Sequence, residues 1–155
     1  MGGTLDWEQH AEPFNEMPWV RFLGIEMPRF EPGEVTLRID PKPEHLNQNG
    51  TVNAPVLFGL AEAAGAAALV MGFLDLLGAT YSAVKHVEMR FLAAARGPVE
   101  ATGRLDPDQV TRAREVVERG EPVDVPIPVE VVDGDRRVVA RIDMVMSVRA
   151  PRGEA

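Results

Sequence analysis

Val35, Leu37 and Ile39 alternate with Glu34, Thr36 and Arg38, the period-two pattern of a strand with one buried face. Ile25 to Phe30 reads as its partner, joined through the turn residues Glu31-Pro32-Gly33. Pro41-Lys42-Pro43 ends the second strand. The alternation then stops. From His45 to Leu74 the chain is almost wholly uncharged, and Glu62 is its one Asp, Glu, Lys or Arg. This predicts a buried helix starting at Asn53 or Ala54, with Asn53 as N-cap and Pro55 in the first turn, where a missing N–H costs nothing. Ala61, Gly65, Ala68 and Gly72 recur at three- and four-residue intervals and form a small-residue stripe. Glycine inside a helix costs ~1 kcal/mol, so the stripe predicts close packing of the helix on a sheet. Gly78 is the expected stop.

Strand patterns resume from Thr80 to Leu92 and, past the Gly97-Pro98 turn, from Val99 to Leu105. Asp106 to Asp124 breaks the rhythm, with a charged helical stretch from Gln109 to Arg119 closed by Gly120. Pro126 to Val132 is the next strand, despite two prolines. Asp133-Gly134-Asp135 is a hairpin turn, and Arg137 to Val148 the last strand. A short helix from Pro18 is stopped by Gly24. This order predicts an α+β domain in which one antiparallel sheet wraps around one long central helix. Residues 18–149 form the domain, with a flexible lead-in at 1–17 and a flexible tail at 150–155.

A chain of 155 residues suits one domain with a full core. It has no cysteine, which excludes disulfides, thiolate nucleophiles and cysteine-ligated metals. His10, His45 and His86 show no tight ligand spacing, so no metal is expected. The net charge of −8 argues against nucleic-acid or anionic-membrane binding. The apolar run from Ala54 to Leu77 is long enough to span a bilayer, but its Ala, Gly and internal Glu62 favour a core helix. The N-terminus lacks a basic stretch followed by an apolar core, so a cytoplasmic protein is expected.

A carboxylate on an apolar helix is costly to bury unless paired, and clefts that keep one often use it. Ahead of Glu62, the polar loop Asn47-Gln48-Asn49-Gly50-Thr51 leads into the helix N-terminus, where free N–H groups and the helix dipole favour a developing anion. The plainer reading of Glu62 is a structural carboxylate paired with an arginine. For Asn47 it is a turn residue, and for Asn53 a simple cap.

Asn47, Gly50, Thr51, Asn53, Ala54, Leu57, Phe58, Leu60, Ala61 and Glu62, with the later strand Val84 to Leu92, resemble the signature of hotdog-fold acyl-CoA thioesterases of the PaaI type. The resemblance spans roughly residues 18 to 149 and implies hydrolysis of an acyl-CoA to free acid and coenzyme A. By this likeness Glu62 is the general base or nucleophile. The backbone N–H of Ala54 polarises the thioester carbonyl, and Asn47 orients water or carbonyl. Asn53 stands where many members carry His, and Ala54-Pro55 replaces Gly-Gly. Asn53, Thr80, Ser82, Lys85 and Arg90 are the implied substrate contacts, the two cations toward the phosphates of coenzyme A. No cofactor is implied beyond coenzyme A within the substrate. The implied assembly is a homodimer or dimer of dimers, with the site formed across the interface. Three other readings stay open: a non-catalytic acyl-CoA or fatty-acid binder, an acyl-thioester dehydratase or hydratase, and a structural dimer with a vestigial cleft.

Overall fold

The computed structural model describes residues 12–150. The elements run α1 (Pro18–Leu23), β1 (Ile25–Glu31), β2 (Glu34–Ile39), a 3-10 turn (Pro43–His45) and α2 (Ala54–Gly72). A 3-10 stretch (Leu74–Ala79), β3 (Tyr81–Phe91), β4 (Val99–Arg104), α3 (Pro107–Glu118), β5 (Val123–Val132) and β6 (Val138–Arg149) complete the chain. The strands form one antiparallel sheet in the order β1-β2-β4-β5-β6-β3, with α2 packed on its concave face. This is the hotdog arrangement expected from the sequence.

The inward positions of β2, β5 and β6 alternate as the pattern predicts. Val35, Leu37 and Ile39 are fully buried, as are Val125, Ile127, Ile142 and Met144 to within 1%. The outer face is not uniformly wet: Thr36 is buried, and its hydroxyl shares a 2.9 Å hydrogen bond with that of Thr102 on β4.

Two glycines set the distance between helix and sheet. A Cβ on Gly65 would lie 2.3 Å from Met144 Cε, and one on Gly103 of β4 would lie 2.6 Å from the carbonyl oxygen of Ala64. The small-residue stripe thus marks the contact line, and Gly103 is its partner on the strand. The helix ends at Gly72, six residues before the expected stop at Gly78. The 106–124 segment secures that end. Arg114 on α3 donates to the Gly72 carbonyl (3.2 Å) and forms a bidentate pair with Asp75, placing a cation where the helix dipole is negative.

β5 begins at Val123 and contains both Pro126 and Pro128. Its pairing with β4 covers only Val129 to Val132, so neither proline faces β4. Gln109 of α3 donates to the Pro126 carbonyl there. The outer strands differ. β1 carries Pro28 within a register shift between Glu26 and Arg29. β3 pairs with β6 alone, has no proline, and leaves Tyr81, Val84 and Phe91 exposed, followed by exposed Leu92.

The expected 1–17 lead-in needs correction in part. Residues 12–15 are helical, and Phe14 packs against the core. The domain therefore reaches back at least to residue 12. Residues 1–11 and 151–155 lie outside the described residues.

The β5–β6 turn holds the buried carboxylate of Asp133, which accepts from the backbone N–H groups of Asp135 and Arg137 and from Arg137 Nη2. Burial pushes its pKa up, but the Arg137 side chain and the two backbone donors outweigh this and hold it below the usual value. A depressed folded pKa contributes stability above the unfolded pKa and loses it as pH falls through the folded one. Asp133→Ala is expected to cost about 1–3 kcal/mol at pH 7. Thermal melts should show that deficit shrinking below about pH 4. A deficit independent of pH would remove the carboxylate from this account.

Candidate active site

The loop before α2 is a small closed unit. Leu46 and Val52 bridge, and Asn47 and Thr51 pair through backbone and side chain. Asn47 Oδ1 accepts from Asn49 N (2.9 Å) and Thr51 N (3.2 Å). The carboxamide is thus engaged in holding the loop. His45 is buried, and its Nδ1 accepts from the Lys42 backbone N–H.

The helix start differs from the expected cap. Asn53 occupies the N-cap position in extended backbone, but its side chain makes no capping hydrogen bond. The backbone explains why none is needed. The Asn53 carbonyl accepts from both Val56 N and Leu57 N, and Pro55 has no N–H. One amide of the first turn is left over. The N–H of exposed Ala54 donates to no acceptor among the described residues.

Two turns along, Glu62 makes no hydrogen bond or ion pair among the described residues, whereas Glu34, Glu100, Asp75, Asp124, Asp133 and Asp143 are all paired. It is half-buried at one end of a cavity of about 390 Å³. Ala63, Ala66, Ala67 and Val70 of α2 form the floor, closed by Leu74. The wall comes from the N-terminal segment: Pro13, Phe14, Met17 and Trp19. Gly59 lets that wall approach, since a Cβ there would lie 3.0 Å from the Trp19 ring. Burial in this apolar setting, with no cation to offset it, raises the Glu62 pKa above the ordinary carboxylate value.

This shift has a consequence for stability. A raised folded pKa means the native state holds its proton more tightly than the unfolded chain. Stability is then lost as pH rises through the folded pKa. Glu62→Gln should therefore melt higher than wild type at pH 8, with the gap closing near pH 4. Equal gaps at both values would mean that Glu62 is not strained by its surroundings.

Within one chain the predicted site residues fall into three groups. Asn47, Asn53 and Ala54 gather at the N-terminal end of α2. Glu62 alone lines the apolar cavity. Ser82, Lys85 and Arg90 lie on β3, with Thr80 just before it. Thr80 donates to the Leu76 carbonyl. Lys85 pairs with Asp124 and Arg90 with Asp143 (2.7 Å), which offsets the charge they would offer to phosphates. His86 is exposed on the same strand. Eight residues at 1.5 Å each put Ala54 and Glu62 about 12 Å apart along the helix axis, so they cannot meet one carbonyl within a single chain. The pattern along the chain does not point to the cavity wall. Its signal was Phe14 and Met17, two isolated apolar residues in a polar stretch.

Residues 11–148 match the model of a family described as a domain of unknown function, DUF4442. The chain belongs to that family. No curated protein matches it. Among solved structures, this DUF4442 chain resembles Pseudomonas aeruginosa PA5026, a protein of unknown function described as a probable thioesterase. The two share 28% identity and a TM-score of 0.83 over 95% of this chain and 97% of that one. The Escherichia coli PaaI protein, from the phenylacetic acid degradation operon, matches at 16% identity and a TM-score of 0.69, covering 95% and 94%. The Haemophilus influenzae thioesterase HI1161 matches at 15% and 0.70, covering 97% and 93%. At such identities the last two show that the DUF4442 chain shares their hotdog fold.

Proposed function

We propose that the protein is a cytoplasmic thioesterase that hydrolyses an acyl-CoA to free acid and coenzyme A. The observation that carries this reading is the unpaired Glu62, half-buried at the mouth of an apolar cavity in a hotdog fold. The likeness to PA5026, a probable thioesterase, supports it. Glu62 takes the proton of a water molecule as that water attacks the thioester carbonyl. The carbonyl oxygen becomes an oxyanion, the C–S bond breaks, and the thiolate leaves to be protonated. An alternative within the same site has Glu62 attack directly and form a mixed anhydride that water opens.

The oxyanion needs a donor. Because Ala54 and Glu62 of one chain are about 12 Å apart, the donor we assign is the N–H of the partner subunit's Ala54. The working unit is then a homodimer, alone or within a dimer of dimers. This route draws on no metal or redox group, and coenzyme A enters as part of the substrate.

A second reading, a non-catalytic acyl binder, is favoured by one observation: among the described residues, the cavity lining beyond Glu62 is apolar, apart from the indole N–H of Trp19. Free-thiol release from a panel of acyl-CoA esters separates the two. Release above the spontaneous rate is expected. Binding of the esters without release would replace the hydrolase with the binder.

A further inference from the structure

The cavity beside Glu62 has a shape as well as a chemistry. Phe58, Glu62, Ala66 and Val70 follow one another at four-residue intervals as an incompletely buried row of the α2 surface, continued by Leu74 just past the helix end. From Glu62 onward the row lines the trough, with Glu62 toward one end and Leu74 toward the other. Its floor between them is mostly alanine, so nothing projects into it before Val70. Leu74 is fixed in turn, because the neighbouring Asp75 is clamped by Arg114.

Two independent measures give the size of an occupant. From Glu62 to the helix end at Gly72 the rise amounts to about 15 Å, with Leu74 just beyond it. An extended hydrocarbon advances roughly 1.25 Å per carbon, given C–C bonds near 1.52 Å at tetrahedral angles, so the trough accommodates about 12 carbons. By volume, a dry cavity of about 150 Å³ takes a six-carbon ring. On that scale 390 Å³ takes roughly fifteen. A short acyl group would leave most of the trough in water. A single aromatic ring would fill less than half of it. A hydroxylated ring would find little to bond beyond Glu62.

We infer that this trough is the acyl site, and that it selects a straight, unbranched chain of about 12–14 carbons lying along α2 with its carbonyl at Glu62. The inference rests on the thioesterase reading only for the placement of the carbonyl. The binding of the chain does not depend on it.

The test uses the full chain carrying Trp7→Phe, so that Trp19, on the trough wall, is the sole tryptophan. Trp19 fluorescence is titrated with straight-chain free fatty acids of 6 to 18 carbons, and thiol release is measured on the matching coenzyme A esters and on phenylacetyl-CoA. Affinity should rise about threefold to fourfold per added methylene and level off near 12–14 carbons. Val70→Phe places a ring about 12 Å from Glu62 and should move the plateau to about 9–10 carbons. Leu74→Ala should move it to longer chains. A plateau that neither variant shifts, or binding indifferent to chain length, overturns the inference. Thiol release that is best with phenylacetyl-CoA, with no dependence on chain length, overturns it while leaving the hydrolase standing. Graded binding that shifts in both variants, with no release from any ester, upholds the trough and removes the hydrolase.

Discussion

Glu62→Gln is expected to lower thiol release by roughly 10²–10⁴-fold while the protein stays folded. The carboxamide matches the carboxylate in shape, so the trough and its packing are kept. What it lacks is basicity. Among the described residues no other acid or base lines the cavity, so none of them can take over the proton. The pH profile carries a second part of this expectation. Because burial raises the Glu62 pKa, the acid limb of kcat should lie above the range of an ordinary carboxylate. The variant should lose that limb rather than move it. Retention of wild-type turnover by Glu62→Gln would remove Glu62 from the mechanism, whatever the pH profile.

Gly103→Val is expected to cost about 3 kcal/mol or more, enough to leave little folded protein at 37 °C. The reason lies in which atoms stand in the way. A Cβ at 103 would lie 2.6 Å from the Ala64 carbonyl oxygen and 3.1 Å from the Gly65 Cα, and these are backbone atoms of α2. Backbone in a helix cannot rotate aside as a side chain does, so the whole helix would have to lift from the sheet. Gly65 offers a useful contrast. A Cβ there meets the tip of Met144, a flexible side chain that can swing. Gly65→Ala should therefore be the milder change, and chemical denaturation of the two variants would rank them. If Gly103→Val were as stable as wild type, the helix would not be seated on β4 as described.

The contrast between these glycines shows where the sequence was informative. Gly65 was legible because it belongs to a periodic stripe on a helix that is apolar all round, and such a helix must be enclosed. Gly103 was not, since one glycine in a strand has no pattern until the helix is laid across it. Glu62 stood out because a single charge in an uncharged run is rare and costly. Asn53 misled for a local reason: its residue type favours capping, but its own carbonyl and Pro55 had already settled the first turn. The trough was illegible because half of it comes from residues 13–19, where apolar positions are too few to show a period. Their role follows from what α2 leaves uncovered. Lys85 and Arg90 were visible as cations, but their aspartate partners sit on other strands, beyond the reach of local pattern.

The two margins of the sheet have different futures in a crowded solution. β1 is spoiled for further pairing by Pro28 and its bulge, and the upper half of β5 by its two prolines. β3 has no proline and is framed by exposed apolar side chains, its register with β6 shifting once between Val84 and His86. A body with one adhesive rim can join a single neighbour back to back, and the union then has no rim left to offer. If such a pair forms, edge-to-edge growth stops there, where a sheet open on both sides would go on to fibres.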